Sequence, residues 1–184
     1  EYYVSCKDTS GNIKPNYKIQ FKVKEGPDIT KPVIIKMDPV NNAYIPYNQE
    51  STNLYLLVEE DSGVKGCKYS RTPNTDYENM EGSFTCSSSS TRDSEGLVGY
   101  RCLTKLTGLR NNQDNTFYFK CEDNVENVNN QDQPTEGYTL KGSNPLLLES
   151  VGPEGKLYER DITLTATTRN GAEGNGKAEC RYSL

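Results

Sequence analysis

The 184-residue chain is acidic, with 21 Lys and Arg against 26 Asp and Glu for a net charge of −5, and it contains no histidine. Nucleic acid is therefore not expected as a partner, because binding a phosphate backbone depends on clustered positive charge. Histidine is the side chain most used as a general base and metal ligand near neutral pH, so we expect no enzyme. No apolar run reaches the roughly 18 residues of a membrane span, and none is expected in this segment.

The six cysteines indicate where the protein works. None lies in a CxxC pair, the spacing typical of zinc knuckles and thioredoxin-like redox sites. In a sequence rich in alternating apolar and polar residues, such cysteines favour disulfides, which persist in oxidising compartments. The sequence therefore predicts an extracellular, cell-surface protein.

Two motifs recur along the chain with nearly the same spacing. The sequence GCKYS at Gly66–Ser70 returns as ECRYS at Glu179–Ser183, 113 residues later. The sequence FYFKCEDN at Phe117–Asn124 resembles YYVSCKDT at Tyr2–Thr9, 115 residues earlier. Two independent matches with almost equal spacing indicate an internal repeat.

A third match supports the same repeat. Lys31–Ile35 and Asn144–Leu148 each hold a proline followed by a short apolar strand. The repeat divides the chain into three parts: residues 1–25 are the last strands of a first domain, residues 27–141 are a complete domain, and residues 143–184 are the opening strands of a third.

Strands are predicted wherever apolar and polar residues alternate between turn signals, and no stretch has a convincing helical period. Examples are Leu54–Val58, its counterpart Ile162–Ala166 and the closing strand Tyr17–Val23. Many short strands punctuated by turns are typical of sandwiches. We predict an all-β fold of Ig-like or fibronectin-like β-sandwich domains in tandem.

Four cysteines are assigned to disulfides inside the complete domain. Cys67 and Cys121 lie on two repeated core strands, so we predict that they bridge the two sheets of the sandwich. Cys86 and Cys102 have no counterpart in the repeat, and we predict that they pair with each other. The segment Ser87–Arg101 between them is preferably an inserted hairpin or loop, and alternatively a binding loop held rigid for a partner.

Cys6 and Cys180 then have no partner within the chain, and two explanations stay open. The preferred one is that the sequence is a window from a longer array, so that their partners lie beyond it. The other is that the chain is a subunit whose C-terminal strands are completed by the N-terminal strands of the next subunit, as in donor-strand assembly.

Two short polar tracts could place oxygen ligands around calcium. Asp8 and Asn12 lie in one tract, and Asp123 and Asn127 lie at the corresponding positions of the other. Asp and Asn also close turns by bonding to their own backbone, and we prefer that interpretation. No cofactor is expected, with calcium as the minor alternative.

The motifs Cys180–Ser183, of pattern C-[KR]-Y-S, and Tyr3–Asn12, of pattern Y-x-x-C-x-D-x-x-G-N, are similar to those of Ig-like and fibronectin-like repeats in very large archaeal and bacterial surface proteins. This resemblance implies a structural building block of an extracellular filament, stalk or surface array. Its partners would be copies of itself or adjacent domains of the same long chain. The alternative is an adhesin that recognises a glycan or surface protein through the loop at residues 86–102, which an exposed tyrosine cluster beside that loop would favour.

Overall fold

The computed structural model describes residues 2–21, 26–129, 133–158 and 160–183. Its regular elements in these ranges are β-strands and one 3-10 turn, Tyr77–Asn79, so the prediction of an all-β fold is confirmed. In chain order the strands are β1 Tyr2–Lys7, β2 Ile13–Ile19, β3 Val33–Asp38, β4 Tyr44–Ile45, β5 Ser51–Glu59, β6 Val64–Ser70, β7 Gly82–Ser83, β8 Thr85–Cys86, β9 Thr91–Arg92, β10 Val98–Thr107, β11 Asp114–Asp123, β12 Gln133–Gly142, β13 Leu146–Gly152 and β14 Thr165–Asn170.

Strands β3 to β12 form a sandwich of two sheets. One sheet has the order β3-β5-β10-β8, with β9 paired to β10, and the other has the order β4-β12-β11-β6-β7. Once the short strands β4, β7 and β9 are set aside, the first, second, fifth and fourth strands form one sheet and the third, sixth and seventh form the other. That is the strand order of an immunoglobulin-type sandwich.

The core lies between the two sheets. Leu54, Leu56 and Leu106 from one sheet and Phe117 and Phe119 from the other are fully buried. On β11 the buried aromatic residues alternate with half-buried ones, the period expected of a strand with one face on a core.

The chain enters and leaves the sandwich at opposite ends. The first residue of β3, Val33, is paired with Glu59, the last residue of β5, while the last residue of β12, Gly142, is paired with Ile45 of β4. Val33 therefore lies at the end of the sandwich where β5 finishes. Ile45 comes shortly before β5 begins, and β12 runs parallel to β4, so Gly142 lies at the opposite end. The segments before β3 and after β12 thus extend from different ends of the domain.

Two further hairpins lie outside the sandwich. β1 pairs only with β2, and β13 only with β14, among the residues that the structure describes. Every residue of β1 and β2 is exposed, and β13 and β14 are mostly exposed. A two-stranded hairpin with no face covered is marginally stable in water.

Some strand limits differ from those predicted. The segment expected at Ile162–Ala166 is wrong by several residues, because β14 is positioned by its pairing with β13, which joins Gly152 to Thr165 and Leu146 to Asn170. The strand expected at Tyr17–Val23 overlaps β2 only in part, since the turn after β1 sets Lys7 opposite Ile13. Residues 22 and 23 lie outside the described part of the chain.

Candidate functional site

The structure joins Cys67 to Cys121, at a sequence separation of 54. The two cysteines are directly opposite each other on β6 and β11, and their Cα atoms are 4.0 Å apart. Because β6 and β11 are neighbours in one sheet, the disulfide ties two strands of that sheet. The predicted bridge between the two sheets is therefore wrong in its placement.

Cys86 and Cys102 are joined in the same way in the opposite sheet. They face each other on β8 and β10, again with Cα atoms 4.0 Å apart. Both cysteines belong to strands of the sandwich, so the part that extends beyond the sandwich lies between them. Those residues include β9, which pairs with the start of β10 to form a hairpin.

The two disulfides meet in the middle of the core. The Sγ atoms of Cys67 and Cys102 are 3.7 Å apart, and those of Cys67, Cys86 and Cys102 all lie within 4.8 Å of one another. A soft metal ion binds thiolates, whereas these sulfurs are bonded in pairs. The cluster therefore joins the two sheets by packing and not by a covalent bridge, an arrangement that cysteine spacing alone did not indicate.

The Asp8 side chain closes the turn between β1 and β2. Its Oδ1 accepts hydrogen bonds from the backbone N–H groups of Ser10 and Asn12, at 2.9 and 2.8 Å, and its Oδ2 accepts one from Asn12 Nδ2 at 2.7 Å. The Asn12 bonds lower the pKa of the Asp8 carboxyl below its ordinary value. Gly11 occupies the left-handed position of the turn, with φ of 92°.

The Asp123 side chain makes the same turn after β11. Its Oδ1 accepts bonds from the N–H groups of Val125 and Asn127, at 2.9 and 2.7 Å, and its Oδ2 accepts one from Asn127 Nδ2 at 2.9 Å. Glu126 takes the left-handed position, with φ of 70°. Both tracts therefore form the turns that we preferred for them.

An acidic cluster also lies at this end of the sandwich. Carboxylate oxygens of Asp28, Glu60 and Asp123 lie within 4.8 Å of one another. Asp28 Oδ1 accepts bonds from the N–H and hydroxyl of Thr30, which lower the pKa of its carboxyl, and Glu60 Oε1 accepts one from Asp61 N–H at 2.8 Å. Calcium takes six to eight oxygen ligands, while here three carboxylates are each engaged by N–H donors of nearby turns.

The hairpin between Cys86 and Cys102 is held against the sheet by charge. Lys36 Nζ on β3 lies 2.8 Å from Asp93 Oδ2 and 2.9 Å from Glu95 Oε1. The Lys36 hydrogen bond lowers the pKa of the Asp93 carboxyl. Tyr100 at the base of the hairpin is half-buried, so its ring does not project into solvent as a contact residue would.

Large exposed apolar side chains are concentrated in the segments outside the sandwich. In the first hairpin Tyr2, Tyr17 and Ile19 are 61%, 68% and 40% exposed. In the last segment a groove of about 620 Å³ is lined by Val151, Gly152, Ile162, Leu164, Thr165, Ala166, Ala178, Cys180, Arg181 and Tyr182. Several of these side chains are themselves exposed, with Tyr182 at 78%.

Cys6 and Cys180 lie in these two segments, and both are exposed and unbonded. Cys6 is on β1, and Cys180 follows β14 in a stretch that forms no strand in the described residues. In the recurring sequence motifs, Cys6 is at the position of Cys121 on β11, and Cys180 is at the position of Cys67 on β6. They are thus the counterparts of a bonded pair.

Comparison with known proteins gives no family for this chain. No protein-family model matches it, and no curated protein matches its sequence. Among the residues that the structure describes, no helix is long and apolar enough to cross a membrane.

Proposed function

We propose that the protein is a structural building block of an extracellular filament, stalk or surface array, in which Ig-like domains follow one another head to tail. The two disulfides support an oxidising location outside the cell. The chain enters and leaves the sandwich at opposite ends, which suits linear propagation. Its partners are copies of itself or adjacent domains of one long chain.

The observation that carries this proposal is where apolar surface is exposed. The sandwich buries a core of large side chains between two sheets, whereas both outer segments present open apolar faces. Contiguous exposed apolar surface marks a contact with another molecule. Two such faces, one before the sandwich and one after it, match a subunit with a neighbour on each side.

The rival function, recognition of a glycan or surface protein through residues 86–102, has less support. An exposed tyrosine cluster beside that hairpin would favour it, but Tyr55 and Tyr100 are half-buried there. The strongly exposed tyrosines of the described residues lie in the outer segments, with Tyr2, Tyr17 and Tyr182 among them. That distribution favours assembly.

Sedimentation and electron microscopy of the full chain test the proposal. We expect oligomers that grow with concentration and that appear as linear particles. Leu148→Asp places a charge on the open face of β13, where the side chain is 61% exposed, and should shift the chain toward monomer.

Leu103→Asp is the matched control. Leu103 is 54% exposed on β10 of the sandwich, so the same chemical change falls away from both outer segments and should leave the oligomers intact. A chain that stays monomeric over the whole concentration range, in wild type as in both variants, would contradict assembly from separate copies and leave adjacent domains of one long chain as its partners.

A further inference from the structure

The pairing of β6 with β11 in the sandwich provides a template for the two outer segments. These strands are antiparallel, with Cys121 opposite Cys67, and with Phe119 opposite Tyr69 on the same face. Their disulfide fixes the register. The pattern of residues along β11 recurs in β1, and that along β6 recurs in residues 177–183.

Transferring this register to the outer segments gives a specific set of contacts. With the repeat spacings of 115 and 113 residues, β1 runs antiparallel to residues 177–183. The transferred pairs include Cys6 with Cys180, Val4 with Tyr182, Lys7 with Glu179 and Asp8 with Lys177.

The charges of this transferred register are complementary. In the sandwich Glu122 is opposite Gly66 and Asp123 is opposite Val64, so neither position pairs two charged residues. In the outer segments both positions pair opposite charges, first Lys7 with Glu179 and then Asp8 with Lys177. Opposite charges directly across a strand pair are favourable, and this one chain encodes both members of each pair.

Both segments are also open to pairing. β1 has β2 on one side and no strand on its other side among the described residues, and an open strand edge is a template for another chain. The stretch after Gly176 forms no strand there, and its Glu179, Cys180 and Arg181 are exposed. The hairpin β13–β14, which precedes it, is antiparallel like β3 and β5, the strands that precede β6.

We propose that β1 of one copy pairs with residues 177–183 of a second copy, and that a disulfide between Cys6 and Cys180 locks the contact. The proposal rests on the proposed function and names the contact through which copies join. A second copy is the occupant because the two outer segments extend from opposite ends of the sandwich and carry matching charges.

The covalent step is an oxidation that a small-molecule disulfide drives. The Cys6 thiolate attacks the external disulfide and releases one small-molecule thiol, and the Cys180 thiolate then attacks the mixed disulfide and releases the second. Two protein thiols and one external disulfide become one protein disulfide and two external thiols. The two protein protons pass to the released thiolates.

A pair of complementary variants tests the contact in the full chain. Wild type treated with oxidised glutathione should form a ladder of disulfide-linked multimers on a non-reducing gel. Cys6→Ser alone and Cys180→Ser alone should each lack the ladder. An equimolar mixture of the two variants should give one linked dimer, in which mass spectrometry finds the Cys6 peptide joined to the Cys180 peptide.

Charge reversal tests the register independently of the cysteines. Lys7→Glu places a like charge opposite Glu179 and should slow dimer formation in the mixture by about fivefold. Glu179→Lys in the other copy should restore the rate. Lys18→Glu makes the same charge change on β2, away from the open edge of β1, and should have a much smaller effect.

The outcomes separate this inference from the proposed function. Linkage of Cys6 to Cys180 within one copy, or homodimers of either single variant forming as fast as the mixed dimer, would overturn the inference. Linear oligomers that persist in Cys6→Ser and are unaffected by Lys7→Glu would overturn the inference and leave the proposed function standing. Absence of any oligomer would overturn the inference together with the assembly of separate copies on which it rests.

Discussion

Glu126 holds the one left-handed position in the turn that follows β11. Its φ is 70°, while the equivalent positions of the Asp8 and Asp93 turns are Gly11 and Gly96, with φ of 92° and 88°. A left-handed backbone costs a residue with a Cβ roughly 1–2 kcal/mol, and glycine avoids that cost. The Asp123 turn therefore carries local backbone strain that the Asp8 and Asp93 turns lack.

We expect Glu126→Gly to raise the free energy of unfolding by about 0.5–1 kcal/mol, because relief of the strain exceeds the added entropy of the unfolded chain. The substitution removes an exposed contact with Lys65, whose Nζ lies 3.9 Å from Glu126 Oε1, and such pairs contribute little. Urea denaturation measures the change. Glu126→Ala removes the same contact but keeps the strain, so a gain of equal size in Glu126→Ala would contradict this explanation.

At the scale of single residues, the sequence predicts turns better than it predicts which distant residues bond to them. The spacing Asp8, Gly11, Asn12 predicts a turn, and Asp93 and Gly96 share the Asp and Gly of that spacing. Asp93 Oδ1 accepts the N–H groups of Glu95 and Leu97 at 2.9 Å each. That third turn could have been found from its Asp and Gly. The bond from Asp93 to Lys36 could not, because 57 residues separate them in sequence.

At the scale of secondary-structure elements, the two disulfide-linked strand pairs contribute to the stability of the sandwich. The pairings Cys67 with Cys121 and Cys86 with Cys102 follow from repeat membership and from elimination. The location of the disulfides in the sandwich could not be predicted in this way, because the fold decides which strands become neighbours in one sheet. Here β6 lies next to β11 and β8 next to β10, so each bond stays within its own sheet.

Removal of the two disulfides should have unequal effects. In the chain-entropy model, a loop of 54 residues contributes about 4 kcal/mol and one of 16 residues contributes about 3 kcal/mol. We therefore expect Cys67→Ala with Cys121→Ala to destabilise the sandwich more than Cys86→Ala with Cys102→Ala. Urea denaturation of the two double variants gives the comparison.

The other order of stability would contradict the chain-entropy explanation. The two disulfides touch at 3.7 Å, so each double variant also leaves a cavity beside the remaining bond. Cys86 is partly buried whereas the other three cysteines are buried, so the cavity cost is larger for the Cys67 and Cys121 variant and adds to the difference from loop length.

For the whole molecule, the all-β class and the sandwich could be predicted because alternation and turn residues are local properties. The groove beside Cys180 and the acidic cluster of Asp28, Glu60 and Asp123 could not, since each joins residues from separate parts of the chain. The sequence did single out Cys6 and Cys180 as cysteines without a partner in the chain. In the structure both are unbonded and exposed.

The unequal burial of sandwich and hairpins predicts unequal protection from hydrogen exchange. Amides of β5 and β11, whose strands carry the buried core, should exchange slowest, because they open only when the sandwich unfolds. Amides of β1 and of β13, in exposed two-stranded hairpins, should exchange orders of magnitude faster in the monomer. Exchange measured by mass spectrometry on the monomer and on the oligomer tests this.

Oligomer formation should slow exchange in β1 and leave exchange in β5 unchanged. Protection of β1 equal to that of β5 in the monomer would instead show that the hairpin is already covered by its own chain.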